Sequence, residues 1–440
     1  MSHNNLTGVI PSCISKLQNL DSSFDVSNNK LCGEISAEIG VTLSDLEVLN
    51  LAGNEFSGSI PSSICSNIPI YSSSTIDLSN NKFSGVIPNT IGNCRNLESL
   101  NLGNNSLKGN VPNEIGQLHF LNYLQLQDNY LEGTITFISK FPDLDVLNLA
   151  NNHFQGNIPR ALFGPQHPYV RIISLRSNKL NGSLPNEISL SHLLILDLSH
   201  NQLSGHIPTK LGRYWMNLPS YSSVQLTDQR NDNDIQLQMV INGIMVQFQK
   251  VYPYDSVLDL SCNMFEGNIP TEIGRSKGLR RLNLSHNHLS GNLPVSIADM
   301  SNLVSLDLSF NTLSGQIPHS LTSLDSLGFL NLSYNELSGK IPRGTHFDTL
   351  GVDGWAFVGN ALLCGEPTKK VCEVEEDDQN DDQEDASEKL IFYSIVFLGF
   401  VVGFWGPFLV MLIKRDKMWF LYWKFIDYFV VVIIRCIQNK

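Results

Sequence analysis

Side chains capable of chemistry are numerous in this chain, but their spacing does not suit an enzyme. The 11 histidines are scattered, and the 8 cysteines form no run with metal-ligand spacing. No nucleophile–base pair and no glycine-rich phosphate loop stands out. The sequence therefore predicts a protein that is not an enzyme and that requires no cofactor and no metal ion.

Charge and composition narrow the range of partners. The net charge of -13 argues against nucleic acid. With 42% hydrophobic and 16% charged residues, the chain has ample material for a core and is too apolar for disorder. We therefore expect a folded protein whose partners are not nucleic acids.

The chain is built from a repeat of 24 residues, and this repeat determines where its side chains lie. In the unit from Leu303 to Pro318, Leu306 and Leu308 alternate with polar residues, as in a strand buried on one face. Asn311 follows where the chain must turn, and its amide can bond the backbone of adjacent turns. We call this residue of each unit the ladder asparagine. The earlier and later units carry it at Asn29, Asn54, Asn81, Asn105, Asn129, Asn152, Asn178, Asn201, Asn263, Asn287 and Asn335.

No single unit can bury its own leucines, so the units must stack into a solenoid. The predicted fold is of α/β type, with a parallel β-sheet on the concave face. Loops and short 3-10 or helical turns are expected on the convex face.

The spacing of the repeats also predicts the domain boundaries. Residues 1–208 hold about nine repeats, the first of them partial, and residues 255–342 hold four more. The 62 positions between Asn201 and Asn263 exceed one unit by about 38, which indicates an inserted island over residues 209–254. Because the island contains aromatic residues and a strand-like stretch from Ile235 to Phe248, we expect it to fold back on the solenoid rather than form a floppy insertion. The raw first unit and the lack of a visible leader favour a truncated chain or an incomplete gene model over a cytosolic protein.

Residues 343–372 are predicted to form a cap closed by a disulfide between Cys364 and Cys372, which implies an oxidising compartment. Cys13, Cys65 and Cys94 are expected to be free, buried thiols on the convex side. Nothing beyond packing is expected of Cys32 and Cys262.

The C-terminal segment predicts a membrane anchor. An acidic stretch, residues 373–389, precedes 24 uncharged residues at 390–413, which as a helix would span about 36 Å. Basic residues open the tail at 414–440, so the positive-inside rule places the solenoid outside the cell. Gly399 and Gly403 share one face of this helix, where a partner helix can approach closely. A secretory route also suits five N-glycosylation sequons, at Asn5, Asn104, Asn181, Asn283 and Asn331.

Units of the form Leu-Ser-Gly-x-Ile-Pro are similar to the plant extracellular type of leucine-rich repeat. The order of island, four repeats, Gly359-to-Gly365 motif, acidic stretch, span and short tail resembles the plant leucine-rich-repeat receptor-like proteins, which lack a kinase and include receptors for fungal xylanase. The resemblance implies a plasma-membrane receptor in plant defence that binds a microbial or developmental ligand. It also implies signalling through a partner leucine-rich-repeat receptor-like kinase, paired through the acidic stretch and the glycine-spaced span. Two features depart from the family: the missing N-terminal part, and Asn242-Gly243 where many relatives carry Lys-Gly.

An extracellular peptide or protein ligand is expected to bind the concave face and the island. Aromatic and arginine residues there are the candidates, because these residue types are favoured as anchors in protein interfaces. The competing interpretation is solvated surface, or packing of the island against the rod. Two further functions remain open: a polygalacturonase-inhibitor-like secreted binding protein, and a non-functional truncated remnant. The candidate binding residues are Tyr123, Gln125, Arg176, Tyr214, Trp215, Arg280, Arg281, His286, Phe310 and Tyr334.

Overall fold

The computed structural model describes residues 1–11, 23–38, 46–65, 74–186, 192–213, 237–241, 244–248, 256–350 and 353–372. Met1–Cys372 forms one compact unit. Within it the repeats stack as a solenoid with two parallel sheets, one of 12 and one of 14 strands. The predicted solenoid of parallel strands is therefore confirmed.

The 12-stranded sheet is made by the predicted leucine strands, and one strand comes from each unit. Leu306 is fully buried and is in register with Leu282 on one side and Leu330 on the other. The strands are Ser23–Asp25, Val48–Asn50, Ser74–Asp77, Leu97–Asn101, Tyr123–Gln125, Val146–Asn148, Ile172–Ser174, Ile195–Asp197, Val257–Asp259, Arg281–Asn283, Ser305–Asp307 and Phe329–Asn331.

The 14-stranded sheet begins just after each ladder asparagine and includes the repeat glycine. At Gly315 φ is +74°, a conformation that favours glycine. The strands are Thr7–Gly8, Lys30–Glu34, Glu55–Ser59, Lys82–Gly85, Ser106–Asn110, Tyr130–Gly133, His153–Asn157, Lys179–Gly182, Gln202–Gly205, Met264–Asn268, His288–Asn292, Thr312–Gln316, Glu336–Lys340 and Leu362–Cys364.

Short 3-10 turns complete the units, as expected. Most follow the repeat proline, whose fixed φ suits the position before a turn. They span Ser62–Cys65, Asn89–Asn93, Asn113–Gln117, Thr136–Lys140, Arg160–Phe163, Thr209–Arg213, Thr271–Arg275, Val295–Asp299, His319–Ser323, Phe347–Thr349 and Trp355–Phe357.

The ladder asparagine bonds the backbone of its own repeat and of the preceding repeat, which confirms the predicted contact with an adjacent turn. Asn311 Nδ2 donates to the carbonyls of Leu284, Leu308 and Ser309 at 3.0–3.2 Å. Its Oδ1 accepts the Leu289 N–H at 3.0 Å. The same bonds recur up the solenoid, and Asn360 of the cap ends the series with its Oδ1 on the Leu337 N–H.

The repeats on either side of the predicted island stack directly on each other. Strand Ile195–Asp197 pairs in register with Val257–Asp259, and Asn263 Oδ1 accepts the Leu203 N–H. Within the strand-like stretch, Leu237–Ile241 and Ile244–Phe248 pair as an antiparallel hairpin. The solenoid therefore continues across the inserted residues without a change of register.

The cysteines differ in part from expectation. The thiols of Cys65 and Cys94 were predicted to be free, but the structure joins them in a disulfide, with Cα atoms 5.1 Å apart. Both lie at the 3-10 turns of consecutive repeats, where stacking brings equivalent positions together. Cys364 and Cys372 form the second disulfide, Cys32 and Cys262 are free, and Cys13 lies outside the described residues.

In the part of the chain that the structure describes, no helix is long and apolar enough to cross a membrane. The predicted span at 390–413, with Gly399 and Gly403, lies outside the described residues.

Replacing Asn311 with Ala should lower the free energy of unfolding by about 1–3 kcal/mol, because it leaves the buried Leu289 N–H without its partner and removes one hydrogen bond from each of three carbonyls. Urea denaturation measures the change. The matched control is Asn302→Ala, which removes one exposed bond to the Lys277 carbonyl and should cost at most about 0.5 kcal/mol. Equal losses for the two variants would contradict the role assigned to the ladder.

The disulfide between Cys65 and Cys94 can be tested by alkylating the denatured, unreduced chain and mapping the peptides. We expect label on Cys32 and Cys262, and label on Cys65, Cys94, Cys364 and Cys372 only after reduction. Label on Cys65 before reduction would restore the expectation of a free thiol.

Candidate functional site

Three stacked rings stand on the surface of the last repeats, each immediately before a ladder asparagine. The ring centroids of His286 and Phe310 are 4.2 Å apart, and those of Phe310 and Tyr334 are 4.4 Å apart. The planes are nearly parallel, at 11° and 17°. Phe310 remains 41% exposed and Tyr334 49% exposed. We call His286, Phe310 and Tyr334 the aromatic column.

The backbone at this position is left-handed, which disfavours bulky side chains. The φ angles of Phe310 and Tyr334 are +53° and +52°. Such strain typically costs on the order of 1–3 kcal/mol per residue and marks functional positions when packing does not explain it. Here the rings stay about half exposed, so burial offsets only part of the cost. Most earlier repeats instead carry a small polar residue or glycine, at Asn28, Gly53, Asn80, Asn104, Asp128, Asn151 and Ser177.

The cap holds the last ring in place. Gly359 has φ +83°, and a Cβ at this residue would lie 2.7 Å from Tyr334 Cδ1 and 2.9 Å from Tyr334 Cα. The glycine of the cap motif therefore lets the chain close against Tyr334. The column is fixed at one end by Gly359 and supported along its length by ring stacking.

A second aromatic pair lies at the same end of the solenoid. Phe329 and Trp355 have ring centroids 5.3 Å apart, and Trp355 is 42% exposed. On the same strand as Phe329, Asn331 Nδ2 donates to Asp307 Oδ2 at 3.3 Å. The last repeats thus present two aromatic groups together with polar side chains that are already hydrogen-bonded, as at a pre-organised protein-binding surface.

The other predicted binding residues that the structure describes are more buried than these rings. Gln125 and Arg176 are buried, at 2% and 8% exposure, and Arg280 and Arg281 are half-buried. Tyr123 is also half-buried, and burial together with the Asp145 carboxylate raises its pKa to about 12. Arg171 donates Nε–H to Asp145 Oδ1 at 2.6 Å beside it. Tyr214 and Trp215 lie outside the described residues.

A polar motif on the 12-stranded sheet was missed from sequence. In Asp-Leu-Ser units, one carboxylate oxygen accepts both the N–H and the Oγ–H of the serine two residues on, as at Asp307 and Ser309. Asn-Leu-Ser units do the same, at Asn283 with Ser285 and Asn331 with Ser333. The recurring Asp/Asn-x-Ser pattern was the available signal.

Two of the five sequons therefore have a structural role, since Asn283 and Asn331 are the asparagines of this motif. Asn104 donates to Asn80 Oδ1 at 2.9 Å, whereas Asn5 and Asn181 are exposed. Glycosylation at the five positions stays a prediction. Among the described residues, no group of three or more His, Cys, Asp and Glu side chains could hold a metal ion.

Comparison with known proteins agrees with this architecture. Leucine-rich-repeat family models match residues 74–131 and 277–337, and, for a second model, 45–67, 143–164 and 192–214. Receptor-like protein 35 of Arabidopsis thaliana is 30% identical over 291 residues, which are 63% of this chain and 24% of that protein. The chain thus spans about a quarter of the length of this curated relative.

Solved structures show the same fold in receptor ectodomains. The leucine-rich-repeat ectodomain of the receptor kinase GASSHO1/SCHENGEN3 from Arabidopsis thaliana, in complex with CASPARIAN STRIP INTEGRITY FACTOR 2, is 29% identical with a TM-score of 0.59, covering 84% of this chain and 44% of that one. The Arabidopsis receptor kinase HAESA, in complex with the peptide hormone IDA and the co-receptor SERK1, is 27% identical with a TM-score of 0.50, covering 84% and 66%.

The repeat, the ladder and these matches define a leucine-rich-repeat protein. Within that class, the chain is similar to the plant leucine-rich-repeat receptor-like proteins. The leucine-rich-repeat domain of such receptors is generally not itself an enzyme.

Replacing Gly359 with Ala should destabilise the solenoid end and displace the Tyr334 ring. Gly354→Ala is the matched control, because Gly354 has φ +77° but the nearest atom to a Cβ there is 3.6 Å away. Both variants incur the left-handed strain, and only Gly359→Ala adds the clash. We expect a larger fall in Tm for Gly359→Ala and a change in tyrosine near-ultraviolet circular dichroism for that variant alone. Equal effects would mean that the contact with Tyr334 is unimportant.

Proposed function

We propose that this chain is a cell-surface receptor-like protein that binds an extracellular peptide or protein ligand and signals through a leucine-rich-repeat receptor kinase as co-receptor. The observation that carries the proposal is the aromatic column. Its rings are exposed, stacked and held in an unfavourable backbone conformation, which a purely structural repeat would not need.

The energetics suit a protein interface. Binding energy concentrates in a few aromatic and arginine anchors, and anchors fixed before binding lose little entropy on association. Stacking and the contact with Gly359 fix these rings in the unbound chain. Relatives of known structure were solved with peptide ligands, and HAESA with a co-receptor as well, which supports partners of these two kinds.

An extracellular location is part of the proposal. The two disulfides suit an oxidising compartment, and their turns and cap belong to the solenoid itself. The predicted single-pass helix at 390–413, with a cytoplasmic tail, would anchor the solenoid at the plasma membrane. A role in plant defence remains an expectation from the family resemblance.

The double variant Phe310→Ser, Tyr334→Ser tests the proposal. Serine occupies the same left-handed position at Ser177, and asparagine is avoided because Phe310→Asn would create an Asn-Asn-Thr sequon. We expect the variant to keep or slightly raise its Tm, since the strain is relieved, and to lose at least about 30-fold in co-receptor binding, as two anchors of about 1 kcal/mol or more would require.

Surface plasmon resonance with the SERK1 ectodomain as first probe measures binding to the full chain. Tyr130→Ser is the control, since Tyr130 is 59% exposed and stacks on His153 within the 14-stranded sheet, away from the aromatic column. Unchanged binding by a folded double variant would remove the aromatic column from the interface. An equal loss of affinity for Tyr130→Ser would show that binding depends on exposed aromatic rings in general and not on the aromatic column.

A further inference from the structure

Two buried carboxyl groups lie side by side where the repeats meet across the insertion. Asp197 and Asp259 are in register on neighbouring strands. They are 0% and 2% exposed. Parallel strands lie about 4.8 Å apart, so the two groups on the same face of the sheet are adjacent. We call Asp197 and Asp259 the carboxyl pair.

One oxygen of each group is well satisfied. Ser199 Oγ–H donates to Asp197 Oδ1 at 2.6 Å, and Ser261 Oγ–H donates to Asp259 Oδ1 at 2.6 Å. These are the bonds of the Asp-Leu-Ser motif. They hold both side chains in one orientation.

The other oxygens are poorly satisfied. Asn283 Nδ2 donates to Asp259 Oδ2 at 3.3 Å, a long bond. Asp197 Oδ2 is buried without a hydrogen-bond partner. On the preceding strand, at the same position, Ser174 Oγ is also buried without a partner. A buried ionised oxygen with no donor is costly, so this arrangement calls for a positive charge or a proton.

The described groups that face the pair supply little compensation. The Arg176 guanidinium favours the ionised form of both carboxyl groups. The other nearby titratable groups are His200 and Cys262, each three residues after one of the two aspartates. The Asn283 side chain is neutral. Burial raises the pKa of Asp197. Burial, together with the charge of Asp197, raises the pKa of Asp259 to about 7. Two like charges at this spacing cannot both ionise readily.

We propose that Asp197 and Asp259 bind one proton between them, and that its loss destabilises the central repeats as the pH rises from mildly acidic to neutral. The shared proton lets one carboxyl O–H donate to the other group, which gives Asp197 Oδ2 the partner it lacks. In the unfolded chain both groups are ordinary carboxylates with pKa values near about 3.9.

The sign of the effect follows from this difference. A carboxyl group with a raised folded-state pKa stabilises the fold fully below its unfolded pKa, and the contribution is lost as the pH rises through about 7. Burial lowers the pKa of His167 and of His200, so those residues act in the opposite direction. The pH dependence of the pair must therefore be read as a difference between wild type and variant.

Serine is the substitution of choice. Ser174 occupies the equivalent position of a neighbouring strand, whereas Asp259→Asn or Asp197→Asn would create an Asn-Leu-Ser sequon. The Tm of the full chain is measured at pH 5 and pH 8 for wild type, Asp197→Ser, Asp259→Ser and the double variant. The control is Asp307→Ser, at a position flanked by Asn283 and Asn331 rather than by a carboxylate.

We expect the wild-type Tm to fall by several degrees from pH 5 to pH 8 relative to the double variant. Each single variant should remove most of this fall, so that the second substitution adds less than the first. Asp307→Ser should show the same fall in Tm from pH 5 to pH 8, the pH slope of Tm, as the wild type.

Three results would overturn the proposal. One is a wild-type slope equal to that of the double variant. Another is additive loss of slope, which would mean two independent carboxyl groups. The third is a rise of the wild-type Tm on adding calcium at pH 8 that the double variant lacks, which would assign the site to a cation. If the serine variants do not fold, glutamine, found at this position as Gln125, is the second substitution.

Discussion

The solenoid depends on one buried carboxamide per repeat. A single turn of chain leaves backbone N–H and carbonyl groups unpaired at the point where the strand ends, and such groups cannot be buried without partners. The ladder asparagine satisfies three carbonyls and one N–H at once, two of these four groups in the preceding repeat. Each turn is therefore incomplete without its neighbour, which is why the leucines on the adjacent strand can be buried only in a stack.

The same geometry creates the position at which function can be placed. To bring the asparagine amide inward, the residue before it must adopt a left-handed conformation, and its side chain is left outside. Small polar residues suit that position and dominate the early repeats. In the last repeats this preference gives way to His286, Phe310 and Tyr334, so the repeat that builds the core also presents a row of side chains at the strand spacing.

Much of the fold could be predicted from the sequence because each repeat is defined by short, local sequence patterns. Leucine alternation and the ladder asparagine each predicted a feature that the structure confirms. The aromatic column was named residue by residue, but its stacking and its backbone strain depend on the exact register of neighbouring repeats. Gln125 and Arg176 were placed on the open face by the same alternation, and their burial is a tertiary property that alternation does not encode.

The disulfide of Cys65 and Cys94 was missed for a related reason. The two residues are 29 positions apart, and only the stacking of two 3-10 turns brings them together. The carboxyl pair was missed because Asp197 and Asp259 are separated by the whole insertion. Both contacts join equivalent positions of two stacked repeats that are far apart in sequence. They can therefore be recognised only when the repeats are aligned against one another.

The unbroken register across the insertion has an evolutionary consequence. Strand Ile195–Asp197 meets Val257–Asp259 as any two consecutive strands meet, so the interface between the two repeats is indifferent to the length of chain that joins them. Lengthening that connection from one ordinary linker to more than twice its length costs only about 1 kcal/mol of closure entropy. The boundary between these repeats is therefore a natural point for exchanging genetic material, where a new segment can be acquired, diversified or lost while the core on both sides is inherited intact.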